Sequence, residues 1–202
     1  MKPMDIEKKS MEIIESELSV PVAPEYLPIV KRVIHTTADF SFAQSLYFTD
    51  GIVPLLHNMM KDGATIFTDT NMALSGINKP AAKKLGIQLH CIMADENIAK
   101  EAKEREVTRA TVCMEHILKQ EGKKILVCGN APTFLMPLLA QSNRQDIAVI
   151  GVPVGFVNVV EVKEALKESG IPSIIAMGRR GGSNVAASII NALMYTIDGV
   201  RT

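Results

Sequence analysis

Apolar residues recur with two different spacings along this chain, and the change of spacing divides it. Near the start, Met11, Ile14 and Leu18 share one helix face, with Asp5, Glu7 and Ser10 placed to begin the helix and Pro21 and Pro24 to end it. Ile29, Val30, Val33 and Ile34 predict a second helix, with Pro28 in its first turn, where a missing N–H costs nothing. A third is predicted from Ile52 to Lys61, closed by Asp62-Gly63. Beyond it the period shortens. Ala64 to Phe67, Gln88 to Ile92, Lys124 to Cys128, Ile147 to Gly151 and Ser173 to Met177 are short apolar runs bounded by turn residues, as expected of strands buried on both faces. Helical spacing follows most of them, at about Pro80 to Leu85, Thr108 to Gln120, Pro132 to Ser142, Val160 to Ser169 and Ser183 to Tyr195. The alternation predicts one α/β domain over residues 1–202: an open, mostly parallel sheet of about five strands, with helices on both faces and a helical N-terminal segment.

Charge changes the picture by exclusion. Lysine and arginine number 22 and so do aspartate and glutamate, so no overall field draws the chain to nucleic acid or to an anionic membrane. An anionic ligand must be met locally. Aromatic residues are 4% of the chain with no tryptophan, too few for the stacking platforms that hold single-stranded nucleic acid. Cys91, Cys113 and Cys128 form no C-x-x-C pair, which argues against a zinc knuckle or a disulfide framework. The charged N-terminus lacks the apolar stretch of a secretory signal, and the longest apolar run, Ile147 to Val160, is broken by Gly151, Pro153, Gly155 and Asn158. The expectation is a cytoplasmic protein with neither a nucleic-acid nor a membrane partner.

In open α/β sheets ligands bind beyond the carboxyl ends of the strands, so the loops there carry the candidate chemistry. Arg32 and His35 share a helix face, with Asp39 close enough in sequence to orient the imidazole; a histidine at that point also serves as a plain helix cap. Thr68 and Asp69 follow a strand and could meet a polar ligand or simply build a turn. Arg109 sits in the first turn of a helix, where the macrodipole opposes a cation unless an anion faces it. Asn130 lies in a strand-turn-helix loop. The segment Gly151 to Phe156 is apolar, which suits a flat ligand or a subunit contact. Arg179, Arg180 and Ser183 combine guanidinium groups, glycines and a helix start, a good setting for anions. Neither the phosphate-loop nor the G-x-G-x-x-G pattern occurs, which disfavours a nucleotide enzyme. His57, His90 and His116 stand alone, so a metal site is not expected.

Taken in order, Arg32-Val-Ile-His-Thr-Thr-Ala-Asp39, Asp69-Thr-Asn-Met72, Thr108-Arg-Ala110, Gly129-Asn-Ala-Pro-Thr133, Gly151-Val-Pro-Val-Gly-Phe-Val157 and Arg180-Gly-Gly-Ser183 closely resemble the precorrin-8X methylmutase family, from Ser10 to about Leu193. Thr36-Thr37 and Asn158 depart from residues that relatives carry there. The resemblance implies a homodimeric isomerase of cobalamin biosynthesis that moves a methyl group from carbon 11 to carbon 12 of a corrinoid. Its product is hydrogenobyrinic acid or, with cobalt, cobyrinic acid. It implies His35 as the catalytic residue and Ser10, Arg32 and Arg109 as substrate contacts, to which loop position adds Thr68, Asp69, Asn130, Arg179, Arg180 and Ser183. No cofactor is expected, cobalt where present belonging to the substrate, and a non-catalytic corrinoid carrier is the alternative.

Overall fold

The computed structural model describes residues 3–141 and 146–200. Helices α1 (Pro3–Glu17), α2 (Leu27–Thr37) and the single turn α3 (Phe42–Ser45) precede strand β1 (Leu46–Phe48). Helix α4 (Ile52–Lys61) leads to β2 (Thr65–Thr68), and α5 (Asn71–Gly76) with α6 (Lys79–Lys84) leads to β3 (Gln88–His90). Then α7 (Glu96–Glu104) and α8 (Arg109–Leu118) lead to β4 (Lys124–Cys128). A 3-10 turn (Pro132–Phe134) and α9 (Met136–Leu139) precede β5 (Ile147–Gly151), α10 (Val159–Glu168) precedes β6 (Ser173–Ala176), and α11 (Ser183–Tyr195) follows.

The sheet order is β1-β6-β5-β4-β2-β3, parallel throughout except at β1, which runs antiparallel beside β6. Six strands thus stand where about five are expected. Every residue of β4 and β5 is buried, which is why both, apart from Lys124 at the start of β4, read as apolar runs. One core lies between the sheet and α2, α4, α5, α6 and α11; the other lies between its opposite face and α7, α8, α9 and α10. A third, smaller cluster of Ile14, Val30 and Ile34 packs α1 on the outer side of α2.

Local chemistry accounts for the departures from the predicted elements. Helix α1 begins at Pro3, so Ser10 stands inside it and its hydroxyl donates back to the Ile6 carbonyl at 2.9 Å. The helix predicted from Pro132 to Ser142 is two short turns, because Pro137 lacks an N–H and restricts the residue before it; Ser142 lies outside the described residues. Asn158 enters α10 with φ 58°, a left-handed conformation that asparagine tolerates better than most residues. Thr108 caps α8 as its sequence suggests, accepting the Thr111 N–H at 3.2 Å. Among the described residues no helix is long and apolar enough to cross a membrane.

Candidate active site

Ile29, Val30, Val33 and Ile34 turn one side of α2 into the cores, so Arg32, His35 and Thr36 come out on the other side. The helix ends at Ala38, whose left-handed φ of 53° lets its N–H donate to the Ile34 carbonyl at 2.7 Å. Facing α2, helix α11 presents Asn184, Ser188, Asn191 and Tyr195, and between the two helices lies an open hollow of about 270 Å³. The His35 imidazole borders it, with no hydrogen bond or ion pair among the described residues. Asp39 does not orient the ring. Its Oδ1 accepts the Ser41 N–H at 2.9 Å and its Oδ2 lies 2.6 Å from Arg180, and these Ser41 bonds, then Arg180, hold its pKa below the usual aspartate value.

Arg32 reaches Glu7 on α1 at 2.6 Å, and its guanidinium lies 5.3 Å from the centre of the Tyr195 ring. That ring is fixed in turn: Asn78 donates its side-chain N–H to the Tyr195 hydroxyl at 2.8 Å, and the Asn191 side chain accepts the Asn78 backbone N–H at 2.8 Å. Ser10 lies one turn beyond Glu7 on α1 and is not among the hollow's lining residues.

The other predicted residues lie along the strand ends. The chain reverses direction across the sheet between β2 and β4, the crevice where α/β sheets commonly take up ligands. Here the crevice is plugged by the chain itself. Asp69 is 0% exposed, and its carboxylate accepts the backbone N–H groups of Gly129 at 2.9 Å, Asn130 at 2.7 Å and Ala131 at 2.8 Å. Burial raises its pKa, against the pull of those three donors and of Cys128. Thr68 is buried as well, its hydroxyl donating to the Thr70 carbonyl at 2.9 Å. Ser183 shares a 2.8 Å hydrogen bond with Thr70. Gly129 fits between because a Cβ there would come within 2.8 Å of the Ser183 Cα. Thr68, Asp69 and Ser183, expected from loop position to contact the substrate, are buried, and their side chains brace the strand-end loops.

Arg109, Asn130, Arg179 and Arg180 are exposed on the rim. Arg180 is tied to Asp39 and Ser41, whereas Arg179 lies 5.4 Å over the Phe156 ring with no acidic partner among the described residues. Arg109 likewise makes no hydrogen bond or ion pair among the described residues, at a helix start that disfavours a cation. Phe156, beneath Arg179, is 81% exposed, and Val157 and Met72 are 76% and 72% exposed. The remaining histidines are occupied elsewhere: His57 with Thr196 at 3.0 Å, His116 with Glu101 at 2.7 Å, and His90 stacked 5.6 Å from Phe67. Among the described residues no group of three His, Cys, Asp or Glu side chains is placed to hold a metal.

A sequence profile of the precorrin-8X methylmutase family matches residues 5–196. The chain belongs to that family. It is 42% identical to a cobalt-precorrin-8 methylmutase of Salmonella typhimurium, over 96% of this chain and 95% of the relative. A precorrin-8X methylmutase of Pseudomonas aeruginosa is 32% identical over 93% of each chain. The fold superposes on a crystal structure of the precorrin-8X methylmutase from Thermus thermophilus with a TM-score of 0.86, at 33% identity and 95% coverage of both chains.

In this member of the precorrin-8X methylmutase family, His35 and Arg32 are the two predicted residues that the fold brings into one hollow. Sequence reasoning missed its opposite wall. The signal was present: Asn184, Ser188, Asn191 and Tyr195 follow helical spacing in an otherwise apolar α11.

Proposed function

We propose that the protein is an isomerase that moves a methyl group from carbon 11 to carbon 12 of precorrin-8X or cobalt-precorrin-8, in the cytoplasm. The observation that carries this reading is the His35 imidazole, unpartnered among the described residues, beside Arg32 in the hollow, in a chain that matches the methylmutase family over residues 5–196. A 1,5-sigmatropic shift between adjacent ring carbons needs no nucleophile. It needs a proton donor at the ring and a pocket that holds the macrocycle in a reactive shape. His35 donates a proton to the ring C nitrogen, stabilises the charge that rearranges, and recovers the proton after migration. Arg32, Arg109 and Arg179 engage acetate and propionate carboxylates, and the exposed Phe156 and Met72 lie against the flat apolar face. Cobalt, where present, is carried by the substrate. Three free cysteines suit a reducing compartment.

Size argues for a second copy. A hollow of about 270 Å³ is smaller than the roughly 300–1,000 Å³ of ordinary small-ligand pockets, and a corrinoid is a large ligand. The bare apolar rim at Phe156 and Val157 supplies a surface for a partner subunit to cover. Replacing both residues by aspartate is expected to convert a dimer to a monomer in sedimentation velocity and to abolish turnover; full activity in the monomer would refute the shared site.

Adding precorrin-8X or cobalt-precorrin-8 tests the function directly. Visible absorption should change while the mass of the ligand stays constant. A ligand returned with its spectrum unaltered would instead identify a carrier.

A further inference from the structure

Helix α10 buries a lysine beneath the arginine rim. Lys163 is 0% exposed, and its ammonium donates to the carbonyl oxygens of Gly178 at 2.8 Å and Arg180 at 2.7 Å. It has no carboxylate partner among the described residues. The titratable group that bears on it, the Cys128 thiol of β4, is kept protonated by its own burial and by the neighbouring Asp69. Taking an ammonium out of water without a counter-charge is unfavourable, and burial pushes the Lys163 pKa down to about 8. An apolar side chain would fill the volume without that penalty, so the donors themselves are what this position requires.

Those donors fix one short stretch of backbone. The carbonyls of Gly178 and Arg180 are held from below by Lys163, and the carbonyl between them, that of Arg179, accepts the Gly155 N–H at 3.2 Å. Three consecutive peptide groups are thereby set, with the Arg179 guanidinium left over Phe156. Two residues on, the Gly182 N–H donates to the Val152 carbonyl at 2.9 Å, and a Cβ at Gly181 would stand 2.1 Å from that same oxygen. The loops after β5 and β6 are stitched into one rim. Arg180 then joins the rim to Asp39, four residues past His35.

We propose that Lys163 is a positioning residue for the corrinoid: it sets Gly178 to Arg180 so that Arg179 meets a ligand carboxylate while Arg180 stays clamped to Asp39. The inference rests on the assignment of Arg179 to substrate binding made above. The test titrates hydrogenobyrinic acid by visible absorption, near neutral pH, into the native chain, Lys163→Met, the Arg179→Ala/Arg180→Ala pair and the triple variant. Lys163→Met is expected to weaken binding about tenfold, and the triple variant to bind no more weakly than the arginine pair. The drop in Tm caused by Lys163→Met should persist in full in the triple variant. A lysine that merely supports the fold would lower Tm and leave Kd unchanged. Equal Kd values for native and Lys163→Met, or an undiminished loss in the triple variant, would overturn the proposal. If Lys163→Met does not fold, the Lys163 Nζ resonance of the native protein is followed by NMR as hydrogenobyrinic acid is added. It should shift on saturation; an unmoved resonance refutes the role. Failure of the native chain to bind hydrogenobyrinic acid appears in the first titration and takes the functional reading and this inference down together.

Discussion

Replacing His35 by alanine is expected to lower kcat by about two to four orders of magnitude, the usual worth of a positioned general acid, while the Kd for hydrogenobyrinic acid changes only a few-fold. The split follows from the geometry. His35 stands at the open edge of the hollow with its nitrogens uncommitted among the described residues, so its loss removes a proton donor without disturbing a brace. Arg32 remains on Tyr195, and the α2–α11 packing through Ile29 and Val33 is untouched. Stopped-flow absorption under single turnover separates the two quantities. Undiminished turnover by His35→Ala would remove the imidazole from the chemistry and leave the hollow as a binding surface only.

The second large effect is on stability and falls on Asp69. Alanine there strips three N–H groups, one buried and two part-buried, of their acceptor, whereas asparagine keeps one oxygen for Asn130 and Ala131 but turns its NH₂ toward the Gly129 N–H. Alanine is expected to lose about 3–5 kcal/mol and asparagine about 1–3 kcal/mol, from charged hydrogen bonds lost and amides left unpaired. That is a large share of the roughly 5–15 kcal/mol by which domains are stable. Urea denaturation measures it. Near-native stability in Asp69→Asn would show that the carboxylate is not what holds the loop.

The same residue shows why sequence reading succeeded in part. That a polar loop follows β2 is visible from the run that ends at Thr68. That its carboxylate turns inward to the amides of Gly129 to Ala131 depends on β2 and β4 being neighbours, although a whole crossover through β3 separates them in sequence. Helices α2, α4, α8, α10 and α11 were legible because each has an apolar face. Helix α7 escaped because only Ile98 and Ala102 point inward from a strongly charged segment, and α5 because it spans only Asn71–Gly76. Strand β1 has three half-buried residues at the sheet's edge, too short to show a period. In the site, the Arg32–His35 spacing identified one wall, whereas the α11 stripe acquires meaning only once α2 is known to pack against it.

That packing has a consequence for synthesis. Helix α11 emerges from the ribosome roughly 150 residues after α2, on the order of 7–30 s later at ordinary elongation rates. Until then Ile29 and Val33 lack the neighbour that shields them, and the groove holding His35 has only one side. The nascent polypeptide therefore carries a greasy, uncovered helix through most of its translation. Holdase chaperones should engage it over that interval, and a circular permutant that places α11 ahead of α2 should need them less.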